Sequence, residues 1–200
     1  MKLSQLIQAG AFASIAVFGS ANAASELIIN GNFETFTPFS APFVTVNAGD
    51  TSLTGWTIGG TSIDVINGNY GAILGNSIDV LGTPGPGTLS QTFATTAGSF
   101  YSLAFDLSRN PGGSADSSMT VDVAGNTYAY IGTDITTHYT QSFAALTGMT
   151  TLTFNSAAAG YSGPVLDNVS VSAVPEPSTY ALMLGGLGLM GFMARRRKQG

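Results

Sequence analysis

Between residues 26 and 174 apolar and polar positions alternate with a period of two, and helical spacing is hard to find. In SFYSLAFDL (99–107) Tyr101, Leu103, Phe105 and Leu107 share one face, while Ser102, Ala104 and Asp106 share the other. SMTVDVAGNTYAYIG (118–132) reads as a hairpin, with Met119, Val121 and Val123 alternating with polar residues and a turn at Gly125-Asn126. HYTQSFAAL (138–146) places Tyr139, Gln141 and Phe143 together, and TTLTFNSA (150–157) does the same for Leu152 and Phe154. LIINGNF, SIDVI, NSIDVLG and TLSQTFA supply four more short strands, separated by breaks such as GTPGPG at 82–87. Eight or more short strands with regularly spaced turn signals predict an all-β fold, a single jelly-roll β-sandwich with no repeat and no second domain.

In PVLDNVSVS (164–172), Val165, Asp167, Val169 and Val171 have the same parity, so a regular strand aims the Asp167 carboxylate at the apolar face. A bare buried carboxylate costs several kcal/mol or more and needs a partner. Arg109, backbone N–H groups or a bound cation could serve, or a β-bulge could turn the side chain outward.

Charge narrows the class. Residues 24–174 hold ten carboxylates against the single basic residue Arg109, a net charge of −9, although the whole chain stands at −5. Such a body excludes nucleic acid, whose phosphates demand Lys and Arg, and favours divalent cations. There is no cysteine, so disulfides, thiol catalysis and Cys-based zinc sites are excluded. Only 8% of residues are charged, 26 are Gly and 12 are Phe, a balance that suits an exported β-rich protein.

Candidate catalytic chemistry is thin. His138 is the only histidine and reads as an exposed strand residue; a serine triad would need it, and no G-x-S-x-G elbow is present. Carboxylates could still meet in space as a glycosidase pair. Trp56, in LTGWTI, is either a stacking platform for a sugar or a core filler, and the second suits a domain of this size. Asn168-Val-Ser170 matches a glycosylation sequon but overlaps a strand.

The two ends carry addresses. Lys2, the apolar run Ala9–Phe18 and Ala21-Asn22-Ala23 form a secretory signal over residues 1–23, so the mature chain is expected to begin at Ala24. At the other end, residues 174–200, Pro175-Glu176-Pro177 runs into the uncharged STYALMLGGLGLMGFMA (178–194) and then Arg195, Arg196, Arg197 and Lys198. Seventeen residues give a helix of roughly 25 Å, the short end of what spans a bilayer, and its glycines suit membrane packing. The basic cluster would act as a stop that holds the tail's end on the cytoplasmic side, leaving the body outside.

This tail resembles the PEP-CTERM sorting signal over residues 175–198. The resemblance implies processing by an exosortase, a membrane protease-transpeptidase that recognises Pro175-Glu176-Pro177, in bacteria that make exopolysaccharide. The helix would hold the chain in the inner membrane only transiently.

The body, residues 24–173, has its own resemblance. LIINGNFE, LTGWTI, SIDVI, the stretch from Asn76 to Gly113 and VLDNVSVS are similar to the choice-of-anchor C domain, of galactose-binding-like jelly-roll fold. Relatives of that kind imply one structural calcium, with ligands at the positions of Glu34 and Asp167 and backbone carbonyls near Asn30 or Asn32. Calcium takes six to eight oxygens and suits an acidic body without cysteine. The expected function is that of a non-enzymatic surface or matrix protein that interacts with exopolysaccharide or other surface proteins. A purely structural matrix component and a glycoside hydrolase are the alternatives.

Overall fold

The computed structural model describes residues 25–112, 117–156, 160–175 and 177–197. The expected signal peptide, Glu176 of the sorting motif and Lys198 of the basic cluster lie outside the described residues. Eleven strands among the described residues form two antiparallel sheets. They are β1 Phe43–Asn47, β2 Thr57–Gly60, β3 Ser62–Asn67, β4 Asn76–Asp79, β5 Gly87–Ala94, β6 Phe100–Arg109, β7 Ser118–Val123, β8 Asn126–Ile131, β9 Thr137–Ala144, β10 Met149–Ser156 and β11 Pro164–Ala173. The six-stranded sheet runs β1-β3-β4-β11-β6-β9, and the five-stranded sheet runs β2-β5-β10-β7-β8. This is the jelly-roll sandwich that the alternation predicts.

The inward rows are the expected ones. Leu103, Phe105 and Leu107 of β6 meet Leu89 of β5, Met119 and Val121 of β7, and Leu152 and Phe154 of β10 in one core. Trp56 is buried there too, tilted against Phe33 with ring centroids 5.6 Å apart, and its indole N–H donates to the Asn30 carbonyl at 2.9 Å. It fills the core and offers no sugar platform. The hairpin turn sits one residue early: Ala124 and Gly125 take positive φ, and Asn126 already begins β8.

Two expectations fail for stated reasons. LIINGNF forms no strand; it is a strap along β11, held by a single bridge at Glu26 and by hydrogen bonds from Leu27 N to Val171 O and from Val169 N to Gly31 O. Asn30 and Phe33 have positive φ, which breaks any extended run. The strap lies so close that a side chain at Gly31 would start 1.8 Å from the Val169 carbonyl oxygen. The parity argument for Asp167 fails as well. The β11–β6 register shifts between Asp167 and Ser170, at a bulge where Asn168 takes φ +50. The bulge flips the pattern, so Leu166, Val169 and Val171 face the core while Asp167 points to the outer face of the six-stranded sheet.

Beyond β11 the helix α1, Pro177–Arg197, covers the predicted apolar segment. Its apolar side chains from Met183 to Met193 are exposed. Contrary to expectation, no helix among the described residues is long and apolar enough to cross a membrane.

Candidate functional site

The outer face of the six-stranded sheet should be bland in a simple sandwich, yet it carries two polar rows. In one, Asp64 of β3 stands opposite Asp79 of β4, which stands opposite Val165 of β11 and then Ser108 of β6. In the next, Ile66 pairs with Ser77, Ser77 donates to Asp167 at 3.1 Å, Asp167 faces Asp106, and Asp106 faces His138. Loops cover both rows except at the His138 end. Ile66, Leu81 and Val165 are buried beneath them but stand apart from the main core.

Asp79 is fully buried and joins three segments through one carboxylate. Leu81 N donates to it at 3.0 Å, Gly163 N at 3.1 Å and Asn110 Nδ2 at 2.8 Å. Burial pushes its carboxyl up to about 7, against the pull of those three donors. Asp167 is fully buried too, and accepts from Leu74 N (3.2 Å), Ser77 Oγ (3.1 Å) and Asn168 N (2.6 Å). Burial raises it to about 6, with the nearby Asp106 charge adding to the rise.

The counter-charge problem posed by Asp167 is thus solved by N–H and O–H donors. Arg109 is not the partner: its guanidinium forms a fork with Asp134, at 2.6 and 3.0 Å. Glu34 accepts from Asn76 N at 2.8 Å, so Glu34 and Asp167 grip the same turn, residues 74–77, from two sides. A calcium bound here would have to draw oxygens away from donors already in place. Asp167 has donors on both oxygens, and the Asn30 carbonyl already accepts from Trp56 and Phe33. No group of three or more His, Cys, Asp or Glu could hold a metal among the described residues.

Above these rows opens a cleft of about 410 Å³ lined by Phe43, Asp64, Ile66, Tyr70, Thr83, Asn110, Gly112, Tyr161 and Ser162. Tyr161 is 66% exposed and Tyr70 39%, and Tyr70 meets Phe43 edge to face at 5.8 Å. Tyr70 holds φ +55, a conformation uncommon for a bulky side chain, fixed by the Ala72 N to Asn69 O bond and by Ser108 Oγ to Gly71 O at 2.6 Å. Among the described residues the cleft contains one carboxylate, Asp64, whose oxygens are taken by Thr45 Oγ1 (2.7 Å), Thr83 N (3.1 Å) and Thr83 Oγ1 (3.0 Å). A glycosidase needs two available carboxyl groups. Aromatic walls with convergent hydroxyl and amide groups suit a hydroxyl-rich neutral ligand.

The candidates from sequence are therefore scattered. Asp167 and Glu34 lie together beside the cleft's floor, and Pro175 and Arg195–Arg197 lie on the tail. His138 is an exposed strand residue, as predicted, hydrogen-bonded to Asp106 at 2.7 Å. Asn168 of the sequon spends its amide on Asp106 at 2.8 Å. Tyr70 and Tyr161 escaped sequence reasoning. Their signal was a tyrosine set between glycines in two separate breaks, GNYG (68–71) and GYSG (160–163).

Two antiparallel sheets with a cleft on the outside of one define the molecule as a jelly-roll β-sandwich with a sorting tail. The chain belongs to the family described as Protein of unknown function (DUF642), whose model matches residues 26–172. Residues 173–198 match the PEP-CTERM protein-sorting motif. No curated protein matches the chain. Among solved structures it is similar to the arabinose-bound MgGH51 α-L-arabinofuranosidase, at 16% identity and TM-score 0.51, covering 78% of this chain and 27% of that one. A CBM4 structure matches at 16% identity and TM-score 0.47, covering 74% and 99%. A family 35 carbohydrate binding module from Clostridium thermocellum matches at 18% and 0.41, covering 66% and 98%. The arabinofuranosidase likeness supports the fold alone, and the chain spans about a quarter of that enzyme's length.

Proposed function

We propose that this chain is an exported, non-enzymatic surface or matrix protein whose sandwich binds neutral polysaccharide in the Tyr70–Tyr161 cleft. An exosortase acting at Pro175-Glu176-Pro177 delivers it, and the apolar helix with its Arg195–Arg197 end associates with the inner membrane until processing. The observation that carries the binding reading is the cleft: two exposed tyrosines, ringed by hydroxyl and amide groups, held by loops above the six-stranded sheet. With Arg109 engaged by Asp134, no cation among the described residues lines the cleft, so anionic polymers are disfavoured. We further propose a structural calcium at Glu34 and Asp167. It is supported by their grip on one turn, but it must draw oxygens away from the donors of that turn.

Affinity electrophoresis through gels holding the producing cell's exopolysaccharide or neutral glucans, arabinans and galactans tests the cleft. Retardation of the wild type, weakened at least tenfold (about 1.4 kcal/mol) by Tyr161→Ala, is expected. Equal migration with and without every polymer overturns the reading in favour of a matrix component without a small ligand.

A further inference from the structure

The sandwich has two unlike ends. The cleft takes Asn110 and Gly112 from just after β6 and Tyr161 and Ser162 from just before β11. The sorting tail leaves from the opposite end, where the last residue of β11, Ala173, pairs with Tyr101 near the start of β6. The ten residues of β6 separate the two ends by roughly 30 Å.

That opposite end carries exposed apolar side chains, with one carboxylate beside it, Glu26, exposed at its bridge to Ser172. Two loops meet there: Gly98 N donates to Ala145 O, Ala145 N to Ser99 O, and Thr95 N to Gly148 O. Around them stand Phe100 and Met149, each 56% exposed, and Leu146, 68% exposed. Val174 joins them, its N–H donating to Phe100 O at 2.8 Å. From residue 92 to 105, from 123 to 133 and from 139 to 166 the chain has no charged residue, although the body carries ten carboxylates. Glu26 accepts from Ile28 N and Val171 N, and Asp122 from Thr127 Oγ1 and Asn155 Nδ2.

We infer that this end is a foot that rests on a lipid surface while the tail is still attached, so that the cleft faces away from the membrane. The connector fixes the occupant. Only residues 174–176 separate the end of β11 from the start of α1, and that length of chain reaches at most about 14 Å. A helix seated in the lipid interface therefore brings this end of the sandwich to the same surface. A rim with protruding Phe, Leu and Met is the chemistry that such an interface accepts, whereas the acidic remainder of the body is repelled by anionic headgroups. The inference rests on the export reading above, since it needs the tail to hold a membrane.

The chain has no cysteine, so a single introduced one gives a unique reporter. Full-length Leu146→Cys, Met149→Cys and Tyr161→Cys, each labelled with bimane, are reconstituted into phosphatidylethanolamine–phosphatidylglycerol vesicles with and without brominated acyl chains. Several-fold stronger quenching at 146 and 149 than at 161 is expected. Vesicle flotation of the chain with equal quenching at all three positions overturns the foot and leaves the export reading standing. A chain that does not float overturns both. Disulfide-linked dimers of unlabelled Leu146→Cys, formed without vesicles, would assign the patch to a second copy and overturn the lipid assignment.

Discussion

Acidification should stabilise this protein, against the usual behaviour of carboxylate-rich chains, and Asp79→Asn should remove most of the effect. Asp79 is buried with its carboxyl raised from 3.8 to about 7, and Asp167 is raised to about 6, both by burial. A raised carboxyl means that the folded state binds the proton which the unfolded state releases. The stabilisation is complete below about 3.8 and is lost as pH rises through the folded values. Integrating at about 1.4 kcal/mol per pH unit, Asp79 contributes about 2 kcal/mol between about pH 7 and about pH 5, and Asp167 about 1 kcal/mol. At about 2–4 °C per kcal/mol for a domain of this size, Tm should rise by roughly 6–12 °C over that window. Asp79→Asn keeps the shape but turns an amide donor toward Leu81 N, Gly163 N or Asn110 Nδ2. It should lower Tm at every pH, by about 1–3 kcal/mol of stability, while flattening the slope by roughly 4–8 °C. Scanning calorimetry across the window measures both. If the mutant keeps the wild-type slope, proton binding at Asp79 is not the cause and the argument from its burial is wrong.

Four further outcomes are expected. Asp167→Asn should destabilise the fold by about 1–3 kcal/mol, through the loss of an acceptor for Leu74, Ser77 or Asn168. With the proposed calcium in place, chelator should lower the wild-type Tm and leave the mutant's unchanged; equal melting of both with and without chelator would refute the site. Gly75→Ala should cost at least about 1 kcal/mol, since a Cβ there would stand 1.9 Å from Glu34 Oε1 on a residue with φ +60; urea denaturation reads it. Intact mass of protein extracted from the cell surface should lack the residues after about Pro177. A dominant form that keeps Arg195–Lys198 would exclude exosortase processing.

The sequence alone determined the class of fold, because period-two alternation is a local property. Each strand must put one row of side chains into the core, and Tyr101 to Leu107, Met119 to Val123 and Leu152 with Phe154 could be read without knowing their neighbours. It also determined the address, because PEP, an apolar segment and an arginine cluster form one contiguous motif. Other features depended on residues far apart in the chain. Asp167 looked inward by parity, and only the bulge at Asn168, held by Gly31 from more than a hundred residues away, turned it to the outer face. Its counter-charge could not be chosen from a list of cations, since its partners are N–H groups and a hydroxyl from residues 74–77 and 168. The cleft was invisible for the same reason: Tyr70 and Tyr161 sit in separate turns, and tertiary structure brings them together by tying the loops to Asp79 and the end of β6. Periodicity reports which face a residue takes, whereas a site is made by loops whose positions are set by side chains elsewhere.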